Sequence, residues 1–128
     1  MSMDYRGKSP FRWKRFAASF GFAFQGLRFA WREPNFRFHA AAASAVIAAG
    51  SLLSLSRIEW LFILLMIFGM FVLEMINTAI EKVVDLVTEE THPLAGMAKD
   101  LAAGAVLLYA ILAAITGLII FLPKVWPL

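Results

Sequence analysis

The chain has 128 residues, of which 61% are hydrophobic and 16% charged, with a net charge of +3 and a mean hydropathy of +0.74. Soluble domains average about 25% charged residues, so this composition argues against a water-soluble globule and against disorder, and fits one small integral membrane domain over 1–128. The lack of cysteine excludes disulfides, thiol catalysis and cysteine metal sites, and two histidines, His39 and His92, are too few for a multi-histidine centre.

Residues 1–11 read as an N-terminal tail. Over 12–32, Trp13, Phe16, Phe20, Phe24, Leu27 and Trp31 recur at spacings of three and four, with Lys14, Gln25, Arg28 and Arg32 on the other side. This pattern predicts an amphipathic helix lying in the membrane interface. Three weakly charged windows follow: 40–56; 60–80, interrupted only by Glu74; and 101–123. A helix needs ~17–25 apolar residues to cross a bilayer, so transmembrane helices are expected over 36–56, 60–85 and 99–122. No alternating pattern supports a barrel. Small residues in the first and third spans, such as Ala42, Ala43, Gly104 and Gly117, let membrane helices pack closely. Pro123 and Pro127 mark the expected end of the last helix.

Arg6, Lys8, Arg12, Lys14, Arg15, Arg28, Arg32 and Arg37 all precede the first uncharged window at 40–56. Loops rich in Lys and Arg stay inside. The N-terminus and a long second loop, 81–100, are therefore expected in the cytoplasm, and the short loop near 54–59 and the C-terminus outside. The first long apolar segment comes too late, after too much charge, for a cleavable signal peptide. The basic N-terminus alternates with membrane-facing aromatics, so lipid phosphate, not nucleic acid, is the expected partner.

Glu74, Asn77, Glu81 and Asp85 are spaced by three, four and four, which places them on one helix face. A carboxylate inside a span is costly, at least ~2.5 kcal/mol at the helix centre, and is a functional candidate by default. Glu33 and the Lys99–Asp100 pair fall at the same inner boundary. Carboxylates are preferred Mg²⁺ ligands, Lys binds phosphate as a point charge, and a carboxylate near a hydroxyl can act as general base. The set suits phosphoryl transfer to a lipid hydroxyl. No glycine-rich phosphate loop of the usual form is present. Buried carboxylates also serve proton-linked transporters, and a structural membrane subunit remains a third reading of the same residues.

The segment Glu74-Met-Ile-Asn77-Thr-Ala-Ile-Glu81-Lys-Val-Val-Asp85 resembles the E-x-x-N-(S/T)-A-I-E-x-x-V-D signature of the small prokaryotic diacylglycerol kinase and undecaprenol kinase family. His92-Pro-Leu-Ala, Ala98-Lys99-Asp100, Gly26-Leu27-Arg28 and Glu33-Pro-Asn-Phe36-Arg37 are similar to further elements of that family, in order. The resemblance covers about residues 12–122. It implies an all-α integral membrane protein, with a surface helix and three transmembrane helices per subunit, assembled as a homotrimeric bundle in the bacterial cell membrane. It implies transfer of the γ-phosphate of MgATP to a membrane lipid alcohol on the cytoplasmic side. By the same resemblance, Glu74 matches the general base, and Glu33 and Glu81 match the metal ligands. Asn77, Lys99 and Asp100 match residues lining the nucleotide and phosphate site. Glu90, Thr91 and His92 match a loop that contacts the nucleotide, and Arg15 and Phe22 lie where the surface helix approaches ATP. Phe22 stands where some members carry Tyr, and His39 where Gram-negative-type diacylglycerol kinases carry Glu. The Phe-Arg-Phe-His run and His-Pro-Leu-Ala look more like the Gram-positive-type branch, which favours undecaprenol over diacylglycerol as acceptor. Read by themselves, His39 and His92 are ordinary interface or loop residues, with His92 shaping the turn before Pro93.

Overall fold

A computed structural model describes residues 12–126, so the expected tail 1–11 and Pro127 lie outside the described residues. The described chain forms four helices: α1 (Arg12–Trp31), α2 (Pro34–Leu52), α3 (Arg57–Val87) and α4 (Pro93–Val125).

On α1, aromatic neighbours stack edge to face, Trp13 on Phe16 at 6.3 Å and Phe16 on Phe20 at 5.1 Å between ring centroids. Its aromatic stripe stays exposed, and only Ala30 is buried. Pro34 ends α1, because the residue before a proline is pushed out of the helical region. Glu33 accordingly has φ −81° and ψ 126°, and Pro34 opens α2, where its missing N–H costs nothing. The corner is fixed by Phe36, whose buried ring contacts Trp31 on one side and Phe71 of α3 on the other.

In α2, Ser44 and Ser51 donate their hydroxyls back to the carbonyls of Ala40 and Ile47, which satisfies them without water. The α2–α3 corner is tight. Ser54 sits in the left-handed region at φ 55°. Gly50 admits no side chain, since a Cβ there would lie 2.8 Å from Leu55 and 2.9 Å from Trp60. Ser56 then caps α3 in a reciprocal box with Glu59.

α3 and α4 form the most extensive helix pair, with α2 packed on α3. The pair is antiparallel, as ion pairs at both ends show: Glu59 with Lys124 at 3.1 Å and Asp85 with Lys99 at 2.6 Å. Between them, Tyr109 Oη donates to the Leu65 carbonyl at 2.6 Å, and its ring fills the space left by Gly69.

Both α3 and α4 are long and apolar enough to cross a membrane. α2 falls short of the same measure, because its 19 residues begin with Asn35, Arg37 and His39. Two expectations are corrected. The stretch 81–100 is mostly helix, since α3 continues to Val87 and α4 starts at Pro93, leaving only 88–92 as loop. Hydropathy marks where lipid ends, and a polar helix can run on past that level. Pro123 lies inside α4 and does not end it. A proline one turn from the terminus forfeits a single hydrogen bond, and the chain leaves the helix at Trp126, whose N–H donates to the Leu122 carbonyl.

Candidate active site

The late half of α3 carries the polar face. Glu74 is 6% exposed and is the one buried charged side chain among the described residues. Its depth follows from its place on α3, where the helix packs against both α2 and α4. One carboxylate oxygen, Oε1, lies 3.0 Å from Nε2 of His39 on α2. With Glu74 ionised, Nε2 carries the proton and donates.

One turn further, Asn77 Nδ2 donates to Glu81 Oε1 at 3.2 Å. This bond fixes the amide orientation, since the reverse flip would set two acceptors face to face. It leaves Asn77 Oδ1 buried without a partner, an arrangement that costs about 1–3 kcal/mol unless something fills it.

Two further pairs flank the stripe. Lys82 reaches Glu33 at the α1–α2 corner, 3.5 Å away, and Lys99 of α4 holds Asp85. Both pairs are solvated and can open at little cost. Among the described residues, no three His, Asp or Glu side chains converge on a common point. Glu33 and Glu81 are each engaged by a neighbour instead.

The remaining candidates are spread around this centre. His92 caps α4, its Nδ1 accepting from the Leu94 N–H at 3.1 Å. Thr88 shapes the short loop by accepting the Glu90 N–H at 3.2 Å. Glu90, Thr91, His92 and Asp100 are exposed, whereas Arg15 and Phe22 are half-buried on α1. α1 approaches α3 through its later half, where Gly26 comes close to Met75. Arg15 and Phe22 lie upstream of that contact.

Above the stripe, a cavity of 270 Å³ opens among α2, α3 and α4. His39 is its one polar lining residue; small side chains such as Ala42, Ala43, Ala113 and Gly117 form much of the rest. His39 thus stands between an apolar space and the buried carboxylate. Sequence reasoning missed this role for His39, and it missed Lys82 as the partner of Glu33. A signal existed for the first: in a tight α2–α3 hairpin, His39 and Glu74 lie at matching depth to within about one turn.

Compared with known proteins, residues 21–121 match the family model for prokaryotic diacylglycerol kinase. The undecaprenol kinase of Bacillus subtilis (strain 168) is 56% identical over 124 residues, spanning 96% of this chain and 98% of that protein. The diacylglycerol kinase of Synechocystis is 47% identical over 107 residues, 82% of this chain and 61% of its own length. The diacylglycerol kinase of Escherichia coli (strain K12) is 35% identical over 101 residues, 78% of this chain and 83% of that protein.

Proposed function

The chain belongs to the prokaryotic diacylglycerol kinase family, and is therefore a membrane lipid kinase using a nucleotide phosphate donor; from that premise we propose that it phosphorylates undecaprenol. The likeness to the Bacillus subtilis undecaprenol kinase supports this acceptor, since it is higher and longer than that to the two diacylglycerol kinases compared. Diacylglycerol is the second acceptor to be tested. The donor is ATP, and the reaction takes place at the cytoplasmic face of a bacterial membrane, on the side of the basic N-terminal half.

The observation that carries the chemistry is Glu74, a carboxylate buried at lipid depth on the polar face of α3. Glu74 removes the proton from the lipid hydroxyl. The freed oxygen attacks the γ-phosphorus, the bond to the β-phosphate oxygen breaks, and ADP leaves. Lys99 turns from Asp85 to the phosphates as a point charge, with Asp100 beside it in sequence. Arg15 and Phe22 approach the nucleotide from α1, and Glu90, Thr91 and His92 from the loop.

Mg²⁺ fits the donor set. Glu81, Glu33 and the partnerless Asn77 Oδ1 are hard oxygen donors of the kind this ion takes, one or two from protein and the rest from phosphate and water. When bound, the ion draws charge from the transferring phosphoryl group. α2 crosses the membrane as the short member of the three spans, and three subunits assemble as a homotrimer.

The test is transfer of labelled phosphate from ATP in lipid–detergent micelles, with undecaprenol and diacylglycerol offered side by side, with and without Mg²⁺. The expected result is Mg²⁺-dependent product, formed faster from undecaprenol. A faster rate on diacylglycerol overturns the acceptor, and no product from either lipid in folded protein overturns the reaction.

A further inference from the structure

Glu74 can act as a base only if it is held in place, and its burial calls for a hydrogen-bond partner. A carboxylate at 6% exposure has lost most of its water, and burying a charge without a partner is strongly unfavourable. Its side chain also has three rotatable bonds. One hydrogen-bond donor meets both demands, the His39 imidazole, with Nε2 3.0 Å from Oε1. The imidazole has no competing partner: among the described residues its one hydrogen bond is to Glu74, and the cavity it borders is otherwise lined by apolar side chains. α2 is held against α3 at this level by the buried Phe36 ring on Phe71, 4.9 Å between centroids, so the ring that donates is carried by a fixed element.

We propose that His39 is a positioning residue for phosphoryl transfer: its Nε2–H holds Oε1 of Glu74 in place, so that Oε2 faces and takes the proton of the acceptor hydroxyl. The proton moves from the lipid oxygen to Oε2, and His39 neither gains nor loses one in that step. The proposal rests on the lipid-kinase reading above and adds a residue to it. Without the donor, the Glu74 side chain is free to swing toward water, which slows the proton transfer. Nucleotide binding, which falls to residues nearer the cytosol, is untouched.

Gln and Asn separate this role from a packing role. The amide nitrogen of Gln lies four bonds from Cα, as does Nε2 of histidine; that of Asn lies three bonds away, as does Nδ1. His39→Gln is expected to keep kcat within about 3-fold of the parent, whereas His39→Asn and His39→Ala lose about 10–100-fold, with the KM for ATP unchanged in all three. Equal kcat in folded His39→Gln and His39→Asn, or full kcat in His39→Ala, overturns the proposal. A measurement on the unaltered protein needs no variant: ¹⁵N-histidine NMR in bilayers reads which ring nitrogen of His39 bears hydrogen. A proton on Nε2 supports the pair, and a bare Nε2 removes it. Failure of the lipid-kinase reading shows in the unaltered enzyme, as absence of transfer to either lipid. Failure of the His39 role shows in the ratio between the Gln and Asn variants and in the ring tautomer.

Discussion

Glu74, which is buried, and Asn77, half-buried with a buried Oδ1, share one face of α3, yet they differ in what they lack. Glu74 has a partner in His39, whereas Asn77 keeps a partnerless Oδ1. Glu74→Gln preserves an acceptor for His39 and the shape of the site while removing the base. It is expected to lower kcat by about 10²–10⁴-fold with the thermal midpoint in micelles unchanged or raised; full activity there would refute the base assignment. Asn77→Ala removes a burial penalty in the free protein, so its unfolding midpoint should hold or rise. The same change should raise the Mg²⁺ concentration needed for half-maximal activity by about an order of magnitude, the cost of one lost oxygen ligand. An unchanged Mg²⁺ requirement would take Asn77 out of the metal role. The shared face of Glu74, Asn77, Glu81 and Asp85 was legible because a helix repeats every 3.6 residues. The His39–Glu74 contact was not, because it joins positions 35 apart and depends on the relative depth of two helices.

At the scale of elements, lipid offers no hydrophobic drive to press α3 against α4. Close fit and hydrogen bonds must do it. The fit is tightest at Gly69, where any Cβ collides with the Tyr109 ring and hydroxyl. Gly69→Ala is expected to break the Tyr109–Leu65 bond and lower stability by about 1–3 kcal/mol, read as a lower unfolding midpoint in micelles. Once Tyr109→Phe has removed the hydroxyl, the same glycine change should cost less, a coupling that a double-mutant cycle measures. The helices themselves were legible from hydropathy and aromatic spacing. Helix ends were less so. The loop expected over 81–100 overlapped the helices expected over 60–85 and 99–122, and the Asp85–Lys99 pair joins two helices that leave only 88–92 between them.

For the whole molecule, membrane residence was legible from composition and the helical class from the length of the apolar windows and their lack of alternation: so apolar a chain, largely helical, leaves most of its large hydrophobic side chains on its surface. The number of subunits was not, because outward-facing leucines satisfy lipid and protein neighbours alike. The lengths of α3 and α4 carry a consequence of another kind. On the topology proposed above, with the Glu59–Lys124 end outside, the helix rises about 33 Å from Glu59 to Glu81, or about 31 Å at an ordinary tilt of ~20°. That nearly equals the ~30 Å hydrocarbon core of a bilayer. Glu74 then lies roughly 10 Å below the inner surface of the core, within reach of a lipid hydroxyl drawn slightly inward, while Glu81 just clears it. The stripe behaves as a depth gauge. Turnover should peak in vesicles whose core is near 30 Å and fall several-fold when longer acyl chains add about 5 Å, because Glu81 is then submerged. A flat profile across chain lengths would show that the helices tilt to compensate. If the peak is found, the thickness of the host membrane itself becomes a control on the enzyme, set by the acyl chains the cell makes.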